Sequence, residues 1–247
     1  MADRRNVTIQ EAPGGWPTPW ANVAEIEAVL PCENWTLIGG LMVQLHAIHR
    51  QIDALRPTND IDIIVHVETG AGRPARVAAA LRSLHYDLRP NTDPRTSTAH
   101  RFLRGPDIVD VVVADHAAPR VLERLRGYEM VNVAGGTQAL RRTMNATLTI
   151  VSQRPTVISV PDPLGALILK AAAHRNDTRD PERHLADAAV LLACIEDPFE
   201  DRESFGSDRA RLLHLRAHLG DPLHPAWQRL PLEARRDAQS ALGLLCG

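Results

Sequence analysis

Two short runs put acids where a chain normally buries hydrocarbon, and they constrain the fold more than anything else in these 247 residues. Residues 60–67 read DIDIIVHV and residues 108–114 read IVDVVVA. Both are rich in β-branched side chains, which favour strands. Side chains two apart in a strand point to one face, so Asp60 and Asp62 share a face. By the same alternation Asp110 faces away from Val109, Val111 and Val113. Two carboxylates on one face repel each other, and an acid among valines is costly unless paired or metal-bound. A hard divalent cation relieves both problems, and magnesium is usually held by one or two carboxylates plus substrate phosphates. If the two strands are neighbours, three carboxylates converge, as two-metal phosphoryl transfer requires. A solvent-facing strand with two exposed acids, and a wet edge strand carrying Asp110, are the simpler alternatives.

The segments around these runs supply the other candidate parts. Trp35–Ile38 reads as a strand stopped by Gly39-Gly40. Leu41, Leu45, Ile48, Ile52 and Leu55 then recur at helical spacing, and Arg56-Pro57 marks the helix end. Glycines at a helix start let a backbone approach a ligand, and the helix N-terminus favours an anion such as a triphosphate. A plain strand-to-helix turn has the same look. Thr58, just before the acidic strand, is placed to hold a terminal phosphate oxygen or to cap a turn locally. Downstream, residues 74–85 and 119–126 read as helices, 100–103 and 130–133 as strands, and 147–151 with 156–160 as paired strands. After Pro161 the pattern turns helical: 164–174, 184–195, 209–219 and 232–245. The expected organisation is an α/β (α+β) domain with a mixed sheet over 1–160 and a helical domain over 161–247. Residues 1–20, rich in Pro and Gly, read as a loose arm.

Charge is uneven although the net value is only −2. Residues 71–104 hold seven arginines (73, 76, 82, 89, 95, 101 and 104) against Asp87 and Asp93, a local +5. Residues 196–208 hold six acids against Arg202, a local −5. Either is a solvated face or, for the basic stretch, an anion-binding one. Lys170 is the only lysine; the other 27 cationic residues are arginines. A lysine that persists under such pressure marks a position where a compact ammonium serves and a planar guanidinium does not. Lys170 and Asp187 lie on successive expected helices, where a cation would neutralise a triphosphate tail; Asp187 reads equally as a helix-surface acid. Three cysteines without CxxC spacing, no apolar leader and no long apolar stretch point to a reduced, cytoplasmic protein without membrane segments.

Several chemistries lack their motif. There is no GxGxxG after a strand, no GxxxxGK[ST], no GxSxG and no HExxH. His46 and His49 stand three apart on a helix with no evident third ligand. Few aromatics accompany the arginines, so no stacking platform for single strands is expected.

Residues 38–63, IGGLMVQLHAIHRQIDALRPTNDIDI, resemble the core motif of the AbiEii/MenT nucleotidyltransferase family. These are toxin components of bacterial toxin–antitoxin and phage-defence systems, within the DNA polymerase β-like superfamily. HRFLRGPDIVDVVVAD, LILKAAAHR and RHLADAAVLL are similar to its later motifs, so the likeness covers roughly residues 35–195. It implies a polymerase-β-like fold with Asp60, Asp62 and Asp110 binding Mg²⁺ or Mn²⁺. It implies Gly39, Gly40, Thr58, Lys170 and Asp187 at the NTP, with Lys170 also serving catalysis. It further implies NMP transfer to an RNA acceptor such as the tRNA 3′ end, and a cognate antitoxin encoded nearby. Where relatives often carry Lys-Asp, this chain has Arg183-His184. A nucleotidyltransferase acting on a protein or small molecule, and a non-catalytic NTP-binding regulatory domain, are the alternative readings.

Overall fold

The computed structural model describes residues 4–11, 14–54, 56–67, 73–91, 98–117, 124–151, 154–203 and 206–247. In chain order they form β1 (Asn6–Thr8), α1 (Trp20–Val29), β2 (Trp35–Ile38), α2 (Gly39–His49), β3 (Asp60–Val65), α3 (Pro74–Ser83), β4 (Asp87–Pro90), β5 (Ala99–Arg104) and β6 (Asp107–Ala114). There follow β7 (Asn132–Val133), α4 (Gly136–Arg141), β8 (Thr143–Thr149), β9 (Pro155–Pro161), α5 (Pro163–Asn176), α6 (Glu182–Ala193), α7 (Pro198–Glu203), α8 (Arg209–Leu219) and α9 (Leu232–Cys246). The protein is thus mixed α/β, with mixed sheets and a helical C-terminal region.

The register of the larger sheet places the acids. Its order is β2-β3-β6-β5-β4, with β7 added to β6. β3 and β6 run parallel as neighbours, so Asp62 stands opposite Asp110 and Asp60 opposite Ile108. β2 is antiparallel to β3 and sets Ile38 opposite Asp62, which delivers Gly39 beside that carboxylate. β5 flanks β6 on its other side and sets Arg101 opposite Asp110. β8 lies between β1 and β9 in a second sheet, antiparallel to β9 over their whole length.

Burial holds this arrangement in place. Alternate residues Ile61, Ile63, Val109, Val111 and Val113 are fully buried behind the acidic face. Each such side chain contributes on the order of 1.5–3 kcal/mol relative to exposure. Trp20, Trp35, Trp227, Tyr86 and Phe102 are also fully buried. α5 starts cleanly because Asp162 accepts from the Gly165 N–H at 2.7 Å and Pro163 occupies the first turn. Such a cap is worth about 1 kcal/mol.

Several sequence expectations need correction. The supposed loose arm yields β1, which pairs parallel to β8 with Asn6 opposite Asn145, and it buries Ile9; residues 1–3 and 12–13 lie outside the described residues. Three residues are too few for a periodic signal. α2 closes at His49, well short of Arg56. Gln51 takes φ 55°, the Ile52 N–H donates back to the Ala47 carbonyl at 2.9 Å, and the Gln51 N–H donates to Ile48 at 3.1 Å. That left-handed closure overrides the apolar stripe; its last member, Leu55, lies outside the described residues. The helix expected over 119–126 falls mostly on residues 118–123, also outside them, and Leu125 instead bridges to Tyr128. The acidic stretch 196–208 is not one solvated face. Asp208 is buried against Arg211 and Arg142, and Glu196 reaches Arg5 and Arg50. Among the described residues no helix is long and apolar enough to cross a membrane. The three cysteines are buried and unpaired with one another.

Candidate active site

Asp60, Asp62 and Asp110 converge: each offers a carboxylate oxygen, and these oxygens all lie within 4.8 Å of one another. Asp110 is buried, whereas Asp60 and Asp62 are half-buried at the floor of a cavity of about 380 Å³. Two neighbours fix the orientation of the group. The Thr58 hydroxyl donates to Asp60 Oδ1 at 2.5 Å. Arg101 donates from Nε to Asp110 Oδ1 at 2.8 Å and from Nη2 to Oδ2 at 2.6 Å, a bidentate pair. Among the described residues Asp62 has no such cationic fork. Burial, then the charges of Asp60 and Asp110, push its carboxyl up to about 7, with only partial relief from Lys170 and Arg183. Three oxygen donors in one place, one of them resisting ionisation, suit a hard divalent cation. The residues present therefore fit Mg²⁺ or Mn²⁺.

The glycines are required by contact as well as by conformation. Gly39 has φ +73°, and a Cβ there would overlap the Asp62 carboxylate. A Cβ on Gly40 would stand 2.9 Å from Thr58 Oγ1. The first turn of α2 has no side-chain cap. Its first N–H groups, which have no partner within the helix, and its positive dipole end therefore border the acidic floor, where an anionic ligand is favoured.

The facing wall comes from α5 and α6. Lys170 and Asp187 are both about 95% buried, at 5% and 3% exposure, and Lys170 Nζ lies 2.8 Å from Asp187 Oδ2. Arg56 also reaches Asp187, from Nε at 3.3 Å and Nη2 at 3.4 Å. Burial alone would raise the Asp187 carboxyl, but Lys170 and Arg56 outweigh it and hold it below its ordinary value. The rim carries Arg179 and Arg183. Asp177 takes the N–H groups of Arg179 and Asp180 and contacts Arg183 and His184, each at 3.0 Å. The His184 Nδ1 is buried with no hydrogen-bond partner among the described residues.

Gly39, Gly40, Thr58, Asp60, Asp62, Asp110, Lys170 and Asp187 thus all line one cavity. Asp187 is not the helix-surface acid its sequence allowed. Thr58 is turned to Asp60, which serves the acid directly. Arg56 opens the Arg-x-Thr-x-Asp-x-Asp run, but its pairing with Asp187 is not legible there, and Arg101 reads from sequence only as part of a basic face. The arrangement Asp110 opposite Arg101 is a cross-strand register that no local pattern reveals. Arg104 also turns inward, to Glu25 and Asp107 and over the Tyr86 ring. Arg73, Arg76, Arg82 and Arg89 remain exposed, while Arg95 lies outside the described residues. His46 is no ligand at this site; it is buried, bonds the Pro161 carbonyl at 2.8 Å, and burial lowers it to about 4. Against known proteins, no family model, no curated protein and no solved structure matches the chain.

Proposed function

We propose that the chain is a metal-dependent nucleotidyltransferase that moves a nucleoside monophosphate from an NTP to a hydroxyl of an RNA acceptor. The observation that carries this is the convergence of Asp60, Asp62 and Asp110 beside the α2 N-terminus, across one cavity from Lys170, Arg179 and Arg183. A floor of carboxylates with a cationic wall matches a triphosphate with its cation, and it matches neither an apolar ligand nor a bare anion.

In this reading Asp60, Asp62 and Asp110 hold Mg²⁺ or Mn²⁺, which when bound supplies charge neutralisation at the reacting phosphate. Gly39 and Gly40 let the α2 backbone approach the triphosphate and donate to it. Arg179 and Arg183 face its tail. Asp187 fixes the Lys170 ammonium on the wall that faces the acids, so the cation is in place before substrate arrives and costs no reorganisation. The acceptor oxygen attacks the α-phosphorus in line, the bond to the bridging oxygen breaks, and pyrophosphate leaves. Asp110, held by Arg101, takes the acceptor's proton. The likeness of residues 38–63 to AbiEii/MenT enzymes directs the acceptor toward the tRNA 3′ end and the biological role toward a toxin countered by an antitoxin. The exposed arginines at 73, 76, 82 and 89 are the surface assigned to the RNA backbone.

The test is transfer of α-labelled NTPs, one at a time with Mg²⁺, to total cellular RNA, with Asp60→Ala as control. Labelled RNA of tRNA size that the variant does not make is expected. Because the acceptor is held through phosphates, labelling should fall steeply with added salt. Label in protein or a small molecule would move the acceptor class, and NTP binding without any turnover would replace the enzyme by a regulatory domain.

A further inference from the structure

A second cluster of metal-ligating side chains stands apart from the acids. His174 lies in the last turn of α5, one turn beyond Lys170, and His214 and His218 project from α8. Their ring nitrogens all lie within 4.8 Å of one another. Ring centroids are 5.0 Å apart for His174–His214, 4.6 Å for His174–His218 and 4.7 Å for His214–His218. The three imidazoles thus form a nearly equilateral triangle, with His218 edge-on to both of the other rings.

The spacing has a chemical reading. A tetrahedral zinc with Zn–N bonds of about 2.0–2.1 Å puts its ligand nitrogens about 3.3 Å apart and the centroids of their rings about 5 Å apart. The observed centroid triangle already has that size. His174 Nδ1 and His214 Nε2 stand 2.8 Å apart, pointing at each other. That contact is a hydrogen bond, and an ion would replace it: the nitrogens would part by about half an ångström and both rings would turn toward a common centre. His214 and His218 are four apart on one helix, a spacing that places two imidazoles on one face for a shared metal. His218 is exposed while His174 and His214 are half-buried, so the cluster borders solvent.

We infer that His174, His214 and His218 form a three-histidine site for a divalent transition metal of the zinc class, bridging α5 and α8. All-nitrogen ligation of borderline softness selects such an ion over Mg²⁺, which prefers oxygen. The site is independent of the acids and of any nucleotide. Bound metal would join the last turn of α5, the helix that carries Lys170, to α8.

The experiment uses the full chain stripped with chelator and titrated with Zn²⁺ by calorimetry, and with Co²⁺ by visible absorption. Wild type and Asp62→Asn are each expected to take up one equivalent at this site. His218→Ala and His214→Ala are expected to lose it, with affinity falling at least about 100-fold. His218 is exposed, so its replacement leaves the core intact, and circular dichroism checks the fold of each variant. Zn²⁺ should also raise the Tm of wild type and not of His218→Ala, because an ion bound only by the folded state stabilises it. No uptake by wild type would overturn the assignment. So would uptake that survives both histidine variants, or uptake that disappears in Asp62→Asn, since the ion would then belong elsewhere.

Discussion

Replacing Asp62 by Asn keeps the shape of the side chain and removes its charge, so it isolates the electrostatic cost of the acidic floor. Burial and two neighbouring carboxylates raise the Asp62 carboxyl from 3.8 to about 7. A group whose folded value is raised binds its proton more tightly in the folded state, so an acid of this kind loses the protein stability as pH rises. The loss begins near the ordinary carboxyl value and is complete above about 7. At about 1.4 kcal/mol per pH unit, that interval sets a ceiling of about 4 kcal/mol. Asp62 is only half-buried and faces an open cavity, so solvent screening brings the expected figure to roughly 1–2 kcal/mol. The assay is urea unfolding of wild type and Asp62→Asn in chelator at pH 4, 6 and 8. The two should coincide near pH 4, and the variant should be the more stable by roughly 1–2 kcal/mol at pH 8. Adding Mg²⁺ should then stabilise wild type more than the variant. Equal pH dependence of the two proteins in chelator, or a variant less stable at pH 8, would refute the argument that the floor is strained by like charge.

Three further outcomes follow from the geometry. Gly39→Ala carries both the left-handed cost of about 1–2 kcal/mol and the overlap with Asp62, so it should lose at least 2 kcal/mol by roughly this reckoning. Gly105→Ala, at φ +56° with nothing within 4 Å, should lose only the backbone part, and equal losses would show that the Asp62 contact is immaterial. Lys170→Met leaves buried Asp187 with Arg56 alone and should cost about 3 kcal/mol in thermal unfolding. Lys170→Arg should restore much of that stability and still lack turnover; an active arginine variant would show that the compact ammonium is not needed. Arg101→Ala frees Asp110 from its fork and should lower kcat by about 10–100-fold with little change in KM for the NTP. A rise in KM alone would place Arg101 in ground-state binding.

Much of the site was legible because its parts are local. Asp60 and Asp62 share a face by strand alternation, and Asp110 stands out against valines that are fully buried on the opposite side. Lys170 stands out as the one lysine and by its place on the helix before Asp187, and its burial against Asp187 gives that mark a physical meaning. What stayed hidden depends on pairing across the fold. Arg101 meets Asp110 only through the register of β5 on β6. Arg56 meets Asp187 across 131 residues of chain. Strand β1 exists because β8 offers an edge, not because Asn6–Thr8 has strong propensity of its own. The α2 terminus was misjudged because Ile52 continues an apolar stripe while its N–H closes a left-handed cap. The histidine triangle joins α5 to α8 and leaves in sequence only an H-x-x-x-H spacing, which is common by chance.

The measurement that bears most directly on the central proposal is pyrophosphate released per nucleotide incorporated, with Mg²⁺, for wild type and Asp62→Asn. The account predicts one pyrophosphate for each NMP joined to the acceptor by wild type, and neither product from the variant although it folds. Incorporation that persists in Asp62→Asn, or NTP bound by wild type without pyrophosphate under any acceptor, would contradict it.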